Sequence, residues 1–224
     1  MKVFDKGYFE SRVPFIFIIL IIPILFYLFI YKEEPPIYNP ADLNPELVDS
    51  SLQKIESNHI VSDFLLVNQN DDTITQDTYK DKIYVADFFF TRCPSICPVM
   101  SNNMEKLQGQ FLNTKEVMLL SLSVTPKMDS VPILKAYAER YNANPSKWNI
   151  TTGDKNHIYE LARKSYFAVN DYNDGLLQDF VHTSNFVLVD TQKQIRGIYD
   201  GTVDKEIERL IADIELLLND LDNI

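Results

Sequence analysis

Apolar and polar positions divide the chain into an N-terminal apolar block, a proline-rich stretch and a long region of shorter alternating runs. The block is PFIFIILIIPILFYLFIY, 18 residues without a charge at positions 14–31. That length suits a bilayer crossing with slight tilt or thinning, and the central Pro23 is tolerated better in a membrane helix than in a soluble one. The pattern predicts one N-terminal transmembrane helix over residues 14–31.

A cleaved signal peptide is the alternative for this block. The apolar run is longer than a typical signal core, and the following KEEPP has no small-residue cleavage pattern, so a retained anchor is favoured. Lys2, Lys6 and Arg12 precede the block, whereas Lys32 stands nearly alone after it. This bias predicts cytoplasmic residues 1–13 and a C-terminal domain outside the cytoplasm, on the periplasmic face of a bacterial inner membrane.

The proline-rich stretch, residues 32–57, predicts an extended tether. Residues 58–224 suit one domain. Its apolar periodicity predicts strands at 60–67, 73–75, 83–90, 117–124, 148–150, 186–189 and 195–199, and helices at 98–111, 131–141, 154–166 and 203–218. This order predicts an α/β sandwich with a central mixed β-sheet.

Composition narrows the function classes. Hydrophobic residues make up 46% of the chain and aromatic residues 12%, which favours an ordered globular domain. The net charge of −11 repels phosphate. Nucleic-acid binding is therefore disfavoured, and a cationic partner or metal ion is the easier ligand.

The only two cysteines, Cys93 and Cys97, lie four positions apart in DFFFTRCPSICP, residues 87–98. They follow a predicted buried strand and precede a predicted helix, so the helix dipole and its free amides should favour both thiolates, with Arg92 adding positive charge. We expect two reactive thiols. They can close a disulfide or hold one soft metal ion.

Neither a structural disulfide nor a zinc site explains the pair well. A disulfide across so short a loop removes little chain entropy, and zinc requires two further ligands. A third metal ligand would have to be one of the three histidines, His59, His157 or His182. Thioether ligation is also conceivable, but core packing is favoured for the methionines concerned, which are Met100, Met104 and Met128.

Three segments together resemble the Sco/SenC family of membrane-anchored, thioredoxin-like copper proteins. They are DFFFTRCPSICP, then LSLSVTPKMDS (residues 120–130), then VHTSNFVLVD (residues 181–190). The resemblance spans about residues 58–215 and implies a thioredoxin-like three-layer sandwich. It also implies a copper site formed by Cys93, Cys97 and His182. The family's usual Ser-Val-Asp-Pro carries Thr125 in place of Asp here, and Asp129 is the nearest carboxylate after it.

Two functions follow from this resemblance. The first is a copper chaperone that binds one ion and delivers it to a copper-receiving subunit of cytochrome c oxidase, from an unidentified donor. Two thiolates and one imidazole suit Cu(I), and the added nitrogen can also support Cu(II). The second is a membrane-anchored thiol-disulfide reductase, in which Cys93 or Cys97 attacks a partner disulfide. The histidine discriminates between them, because disulfide exchange needs only the thiols.

Overall fold

The computed structural model describes residues 21–22, 34–43, 48, 51–57, 59–168 and 183–221. The strands are β1 (Leu65–Asn68), β2 (Thr73–Thr75), β3 (Ile83–Phe89), β4 (Val117–Ser123), β5 (Trp148–Thr152), β6 (Asn185–Val189) and β7 (Ile195–Asp200). The α-helices are α1 (Ile96–Gln110), α2 (Val131–Arg140), α3 (Lys155–Glu160) and α4 (Asp204–Leu221), and a π-helical turn (Leu161–Ser165) continues α3.

All seven strands form one sheet in the order β2-β1-β5-β4-β3-β6-β7. β4 pairs in parallel with both β3 and β5, whereas the outer pairings are antiparallel. The mixed sheet predicted from the element order is therefore confirmed. The central parallel strands β3 and β4 are buried at every residue, because helices cover both faces.

The two faces of β3 enter different cores. Ile83, Val85 and Phe89 pack with residues of α1, α2 and α4, whereas Tyr84 and Phe88 pack with α3 and the π-helical turn. This alternation follows from the two-residue period of a strand. It gives the three-layer arrangement that the family resemblance implies, and it points position 87 to the α1 face.

Several element boundaries differ from the predicted ones. β1 begins at Leu65 and not at residue 60, and α4 ends at Leu221 and not at residue 218. α1 begins at Ile96, not at Pro98, because a proline within the first helical turn removes no intrahelical hydrogen bond. The predicted helix 154–166 is an α-helix only to Glu160. Asp154 caps its start by accepting a 2.9 Å hydrogen bond from the backbone N–H of His157.

The described part of the proline-rich stretch packs against the domain. The backbone N–H of Tyr38 donates to the carbonyl of Ile195 over 2.8 Å, and the Arg196 guanidinium donates to the carbonyl of Pro35. The compact unit accordingly starts at Pro35 and not at residue 58. Most of the predicted anchor, residues 14–20 and 23–31, lies outside the described residues. Among the helices of the described residues, none is long and apolar enough to cross a membrane.

Candidate functional site

The cysteine loop leaves the C-terminal end of β3 and enters α1. The backbone N–H of Cys93 donates to the carbonyl of Phe90 over 3.2 Å, which closes a tight turn directly after the strand. Cys97 lies in the first turn of α1. Both side chains are buried against the core on the α1 face, and no disulfide joins them. The sequence therefore placed both thiols correctly at the junction of strand and helix.

Cys93 is the acidic thiol of the pair. Burial opposes its ionisation, but the backbone N–H groups of Cys97 and Ser95 and the side chains of the same two residues donate to it, which lowers the pKa of Cys93 to about 7. The Ser95 hydroxyl lies 3.7 Å from the Cys93 sulfur. The two backbone donors are free amides at the helix start, as predicted, and the two side-chain donors add to them. Arg92 is exposed and does not account for the shift.

Cys97 has the opposite acidity, so the expectation that the helix start favours both thiolates is wrong for this residue. Burial raises the pKa of Cys97 to about 12, and the nearby Cys93 thiolate and the Asp87 carboxylate add to the shift, against a hydrogen bond with the Phe90 backbone. The Cys97 thiol instead donates to Cys93. Near neutral pH, Cys93 is therefore the thiol that ionises more readily, and Cys97 is the one that stays protonated.

Asp87, whose carboxylate acts on the Cys97 thiol, was not identified from the sequence. Its side chain is 1% exposed, and burial raises the pKa of Asp87 to about 7 against a hydrogen bond from Ser121. The Ser121 hydroxyl donates to Asp87 over 2.5 Å and accepts from the indole N–H of Trp148 over 2.8 Å. The available signal was a single acidic residue inside an otherwise apolar strand, since a buried charge needs a reason.

Asp129 connects the cysteine loop to the end of β4. Its carboxylate is fully buried and accepts hydrogen bonds from Thr91, Ser123 and Thr125. Thr125, which stands where the resemblance expects a carboxylate, is therefore a hydrogen-bond donor to Asp129. The sequence identified both residues but not their contact.

The two described histidines do not join the cysteines. The Nε2 atom of His59 lies 2.9 Å from the carbonyl of Ser165, and His157 accepts a hydrogen bond from the backbone N–H of Leu65. His182 lies outside the described residues. Within the described ranges no group of three His, Cys, Asp or Glu side chains could hold a metal ion, so the predicted three-ligand set stays a prediction.

The methionines fall into two classes. Met100 and Met104 are completely buried in the core of the α1 face, as predicted. Met128 is 47% exposed, so core packing is wrong for this residue. It lies in the turn after β4, where the backbone N–H of Met128 donates to the carbonyl of Thr125.

Comparisons with known proteins agree with this fold. The family model described as SCO1/SenC matches residues 52–219. The SCO1 protein homolog of Bacillus subtilis (strain 168) is 31% identical over 160 residues, which cover 70% of this chain and 82% of that protein. A SCO1/SenC family lipoprotein from Bacillus anthracis has a TM-score of 0.63 at 28% identity, with 74% of this chain and 98% of that chain covered.

Two further solved structures share the fold. BsSco, described as a member of the Sco family of cytochrome c oxidase assembly proteins with a disulfide switch, has a TM-score of 0.61 at 30% identity, covering 73% of this chain and 96% of its own. Copper-bound ScoI of Arabidopsis thaliana has a TM-score of 0.54 at 21% identity, covering 70% of this chain and 98% of its own. With its cysteine pair at the junction of β3 and α1, this chain belongs to the SCO1/SenC family.

Proposed function

We propose that this chain is a copper chaperone, which binds one copper ion through Cys93, Cys97 and His182 and delivers it to a copper-receiving subunit of cytochrome c oxidase. The observation that carries the proposal is the buried pair of sulfur ligands at the start of α1. Thiolates are the ligands that select Cu(I). The description of BsSco as a cytochrome c oxidase assembly protein supports the choice of recipient.

Strand register supports the choice of histidine. Phe186 of β6 pairs with Asp87 of β3 in antiparallel orientation, so the start of β6 lies at the end of β3 from which the cysteine loop leaves. Thr183, the first described residue before β6, accepts a 3.1 Å hydrogen bond from the backbone N–H of Asn185. His182 directly precedes Thr183 in the sequence, whereas His59 and His157 are bonded elsewhere.

The acidities of the two thiols suit an ion that is taken up and passed on. Cys93 offers a thiolate near neutral pH, while Cys97 must release its proton to become a second sulfur ligand. Copper binding therefore competes with protonation of Cys97, and reprotonation assists release. A site with few ligands that exchanges protons for metal serves transfer better than storage.

Stoichiometry and the histidine test this proposal together. Anaerobic titration of the reduced protein with Cu(I), against a chromophoric chelator, should end at one copper per chain. His182→Ala should weaken copper retention at least tenfold, about 1.4 kcal/mol. His157→Ala is the matched control and should leave retention unchanged. A two-copper or zero-copper endpoint, or equal retention in both variants, would contradict the three-ligand site.

A second candidate function, thiol-disulfide reduction, is favoured by the unequal thiols. A nucleophile with a pKa of about 7 beside a protonated neighbour is the arrangement that attacks a disulfide and then resolves the mixed intermediate. The disulfide switch described for BsSco supports it. Reduction of a partner disulfide that proceeds unchanged in His182→Ala but stops in Cys93→Ser would establish this activity separately from copper binding.

The proposed location is a single-pass membrane anchor with the domain outside the cytoplasm, where oxidase subunits are accessible. It is supported by the uncharged run 14–31 and the basic residues that precede it. Alkaline phosphatase, which is active only when exported, should be active in the membrane fraction when fused after Ile224. An inactive fusion would reverse the topology, and an active soluble fusion would mean that the segment is cleaved.

A further inference from the structure

Asp129, which has no role in the proposed copper site, accepts four hydrogen bonds through its carboxylate. One carboxylate oxygen accepts from the Thr91 hydroxyl over 2.6 Å. The other accepts from the Ser123 hydroxyl at 2.5 Å, the Thr125 hydroxyl at 2.8 Å and the Thr91 backbone N–H at 3.3 Å. Among the described residues no ion pair includes Asp129. Four neutral donors therefore satisfy the hydrogen-bonding capacity of this buried carboxylate.

These four hydrogen bonds join two chain segments just past the end of their strands. Phe89 and Ser123 are the last paired residues of β3 and β4, and the backbone N–H of Val124 adds one more bond to the Phe89 carbonyl. Beyond that point Thr91 and Thr125 both bond to Asp129 instead. The carboxylate thus continues the connection between the two segments where the ladder stops.

The segment that Asp129 holds is the base of the thiol loop. Thr91 lies within the turn that closes from the Cys93 backbone N–H to the Phe90 carbonyl. Both its backbone N–H and its hydroxyl are bonded to the carboxylate, so the position and orientation of the turn are fixed together. The same turn leads Cys93 to the start of α1, where its sulfur lies 3.7 Å from the Ser95 hydroxyl.

We propose that Asp129 is a positioning residue for Cys93: through Thr91 it holds the first thiol against the donors of the α1 N-terminus, and so sets copper retention and thiol reactivity. The copper part rests on the proposed function, whereas the thiol part does not. Small displacements suffice for such an effect, because ligand and nucleophile geometry tolerates less than about 0.5 Å of error.

The test compares two buried carboxylates in the full-length reduced protein in detergent. Asp129→Asn removes the charge at the thiol loop. Asp190→Asn does the same in the β6–β7 turn, where the carboxylate accepts 2.9 Å bonds from the backbone N–H groups of Gln192 and Gln194. Asp129→Asn should transfer Cu(I) to a chromophoric chelator at least tenfold faster than the wild type. Asp190→Asn should stay within twofold, even if both variants lose similar free energy of unfolding in urea.

Thr125 supplies a milder variant in case Asp129→Asn does not fold. Thr125→Val keeps the side-chain shape but removes one of the four donors, and should accelerate copper loss at least threefold. Thr125→Ser restores the hydroxyl and should return the wild-type rate. Copper loss within twofold of the wild type in both Asp129→Asn and Thr125→Val would overturn the proposal, as would equal acceleration by Asp190→Asn.

Alkylation separates this inference from the proposed function. The rate at which iodoacetamide modifies Cys93 at pH 7 should fall about tenfold in Asp129→Asn and stay unchanged in Asp190→Asn, whether or not the wild type binds copper. A wild type that binds no copper would contradict the chaperone function alone. An unchanged alkylation rate in Asp129→Asn would contradict the positioning role alone.

Discussion

The buried carboxyl group of Asp87 should make the protein less stable as the pH rises. Burial raises the pKa of Asp87 from 3.8 to about 7. Between about pH 4 and pH 7 the folded state therefore keeps a proton that the unfolded chain has released. Because the folded state binds more protons in this window, stability falls by about 1.4 kcal/mol per pH unit, in total about 4 kcal/mol. The loss is complete once the pH exceeds the folded pKa.

Asp87→Asn isolates this effect, because an amide has nearly the shape of the protonated carboxyl and carries no charge. Its carbonyl oxygen can still accept from the Ser121 hydroxyl. The substitution should stabilise the protein, and the gain should grow by about 3 kcal/mol between pH 5 and pH 8. The pKa of Cys97, to which Asp87 contributes, lies far above this pH range at about 12. The remaining titrating groups are common to both proteins and cancel in the difference.

Urea unfolding of the reduced, copper-free protein measures the gain, and Trp148, the single tryptophan, reports the transition from inside the core. Asp190→Asn is the control, because it breaks a buried pair with Arg196 and should cost stability at both pH values. A gain from Asp87→Asn that is equal at pH 5 and pH 8, or a loss at pH 8, would refute the reasoning.

Three further predictions follow from contacts described above. Iodoacetamide at pH 7 should modify Cys93 long before Cys97, since their pKa values are about 7 and about 12; peptide mass spectrometry showing Cys97 modified first would contradict this. In urea titrations, Met104→Ala should lower the free energy of unfolding by about 2–5 kcal/mol, because Met104 is buried in the core. Met128→Ala should lower it by less than about 0.5 kcal/mol, because Met128 is exposed, and equal losses would contradict this difference in burial. Arg196→Ala should cost about 3–5 kcal/mol because its carboxylate partner stays buried, and a denaturation midpoint equal to that of the wild type would contradict a buried ion pair.

The sequence predicts the order of elements because local patterns determine it. Strands buried on both faces give unbroken apolar runs. The runs at 83–90 and 117–124 correspond to β3 and β4, and each predicted strand ends one residue too late. The position of β1 beside β5 depends on pairing between Val67 and Thr152, far apart in the chain, for which the local pattern has no signal. The same limit applies to the docking of residues 35–38 on β7.

At the site, the sequence predicted which residues carry the thiols but not how acidic each thiol is. Both cysteines lie at the start of the same helix, so the sequence predicts a similar pKa for the two thiols. Their pKa values are instead about 7 for Cys93 and about 12 for Cys97. The difference arises from tertiary contacts: amides converge on Cys93, while the core and Asp87 surround Cys97. The role of Asp129 similarly depends on Thr91, which is 38 positions away.

The docking of the proline-rich stretch has a consequence for access. Pro35 and Tyr38 attach beside Ile195 and Arg196, at the start of β7. Val189 pairs with both Ile195 and Tyr84, so this attachment lies level with the beginning of β3, whereas the thiols follow its end. At about 3.3 Å per residue, β3 alone separates the two ends of the sheet by roughly 20 Å. A partner protein can therefore cover the end of the sheet that carries Cys93 and Cys97 without displacing residues 35–38 from the start of β7.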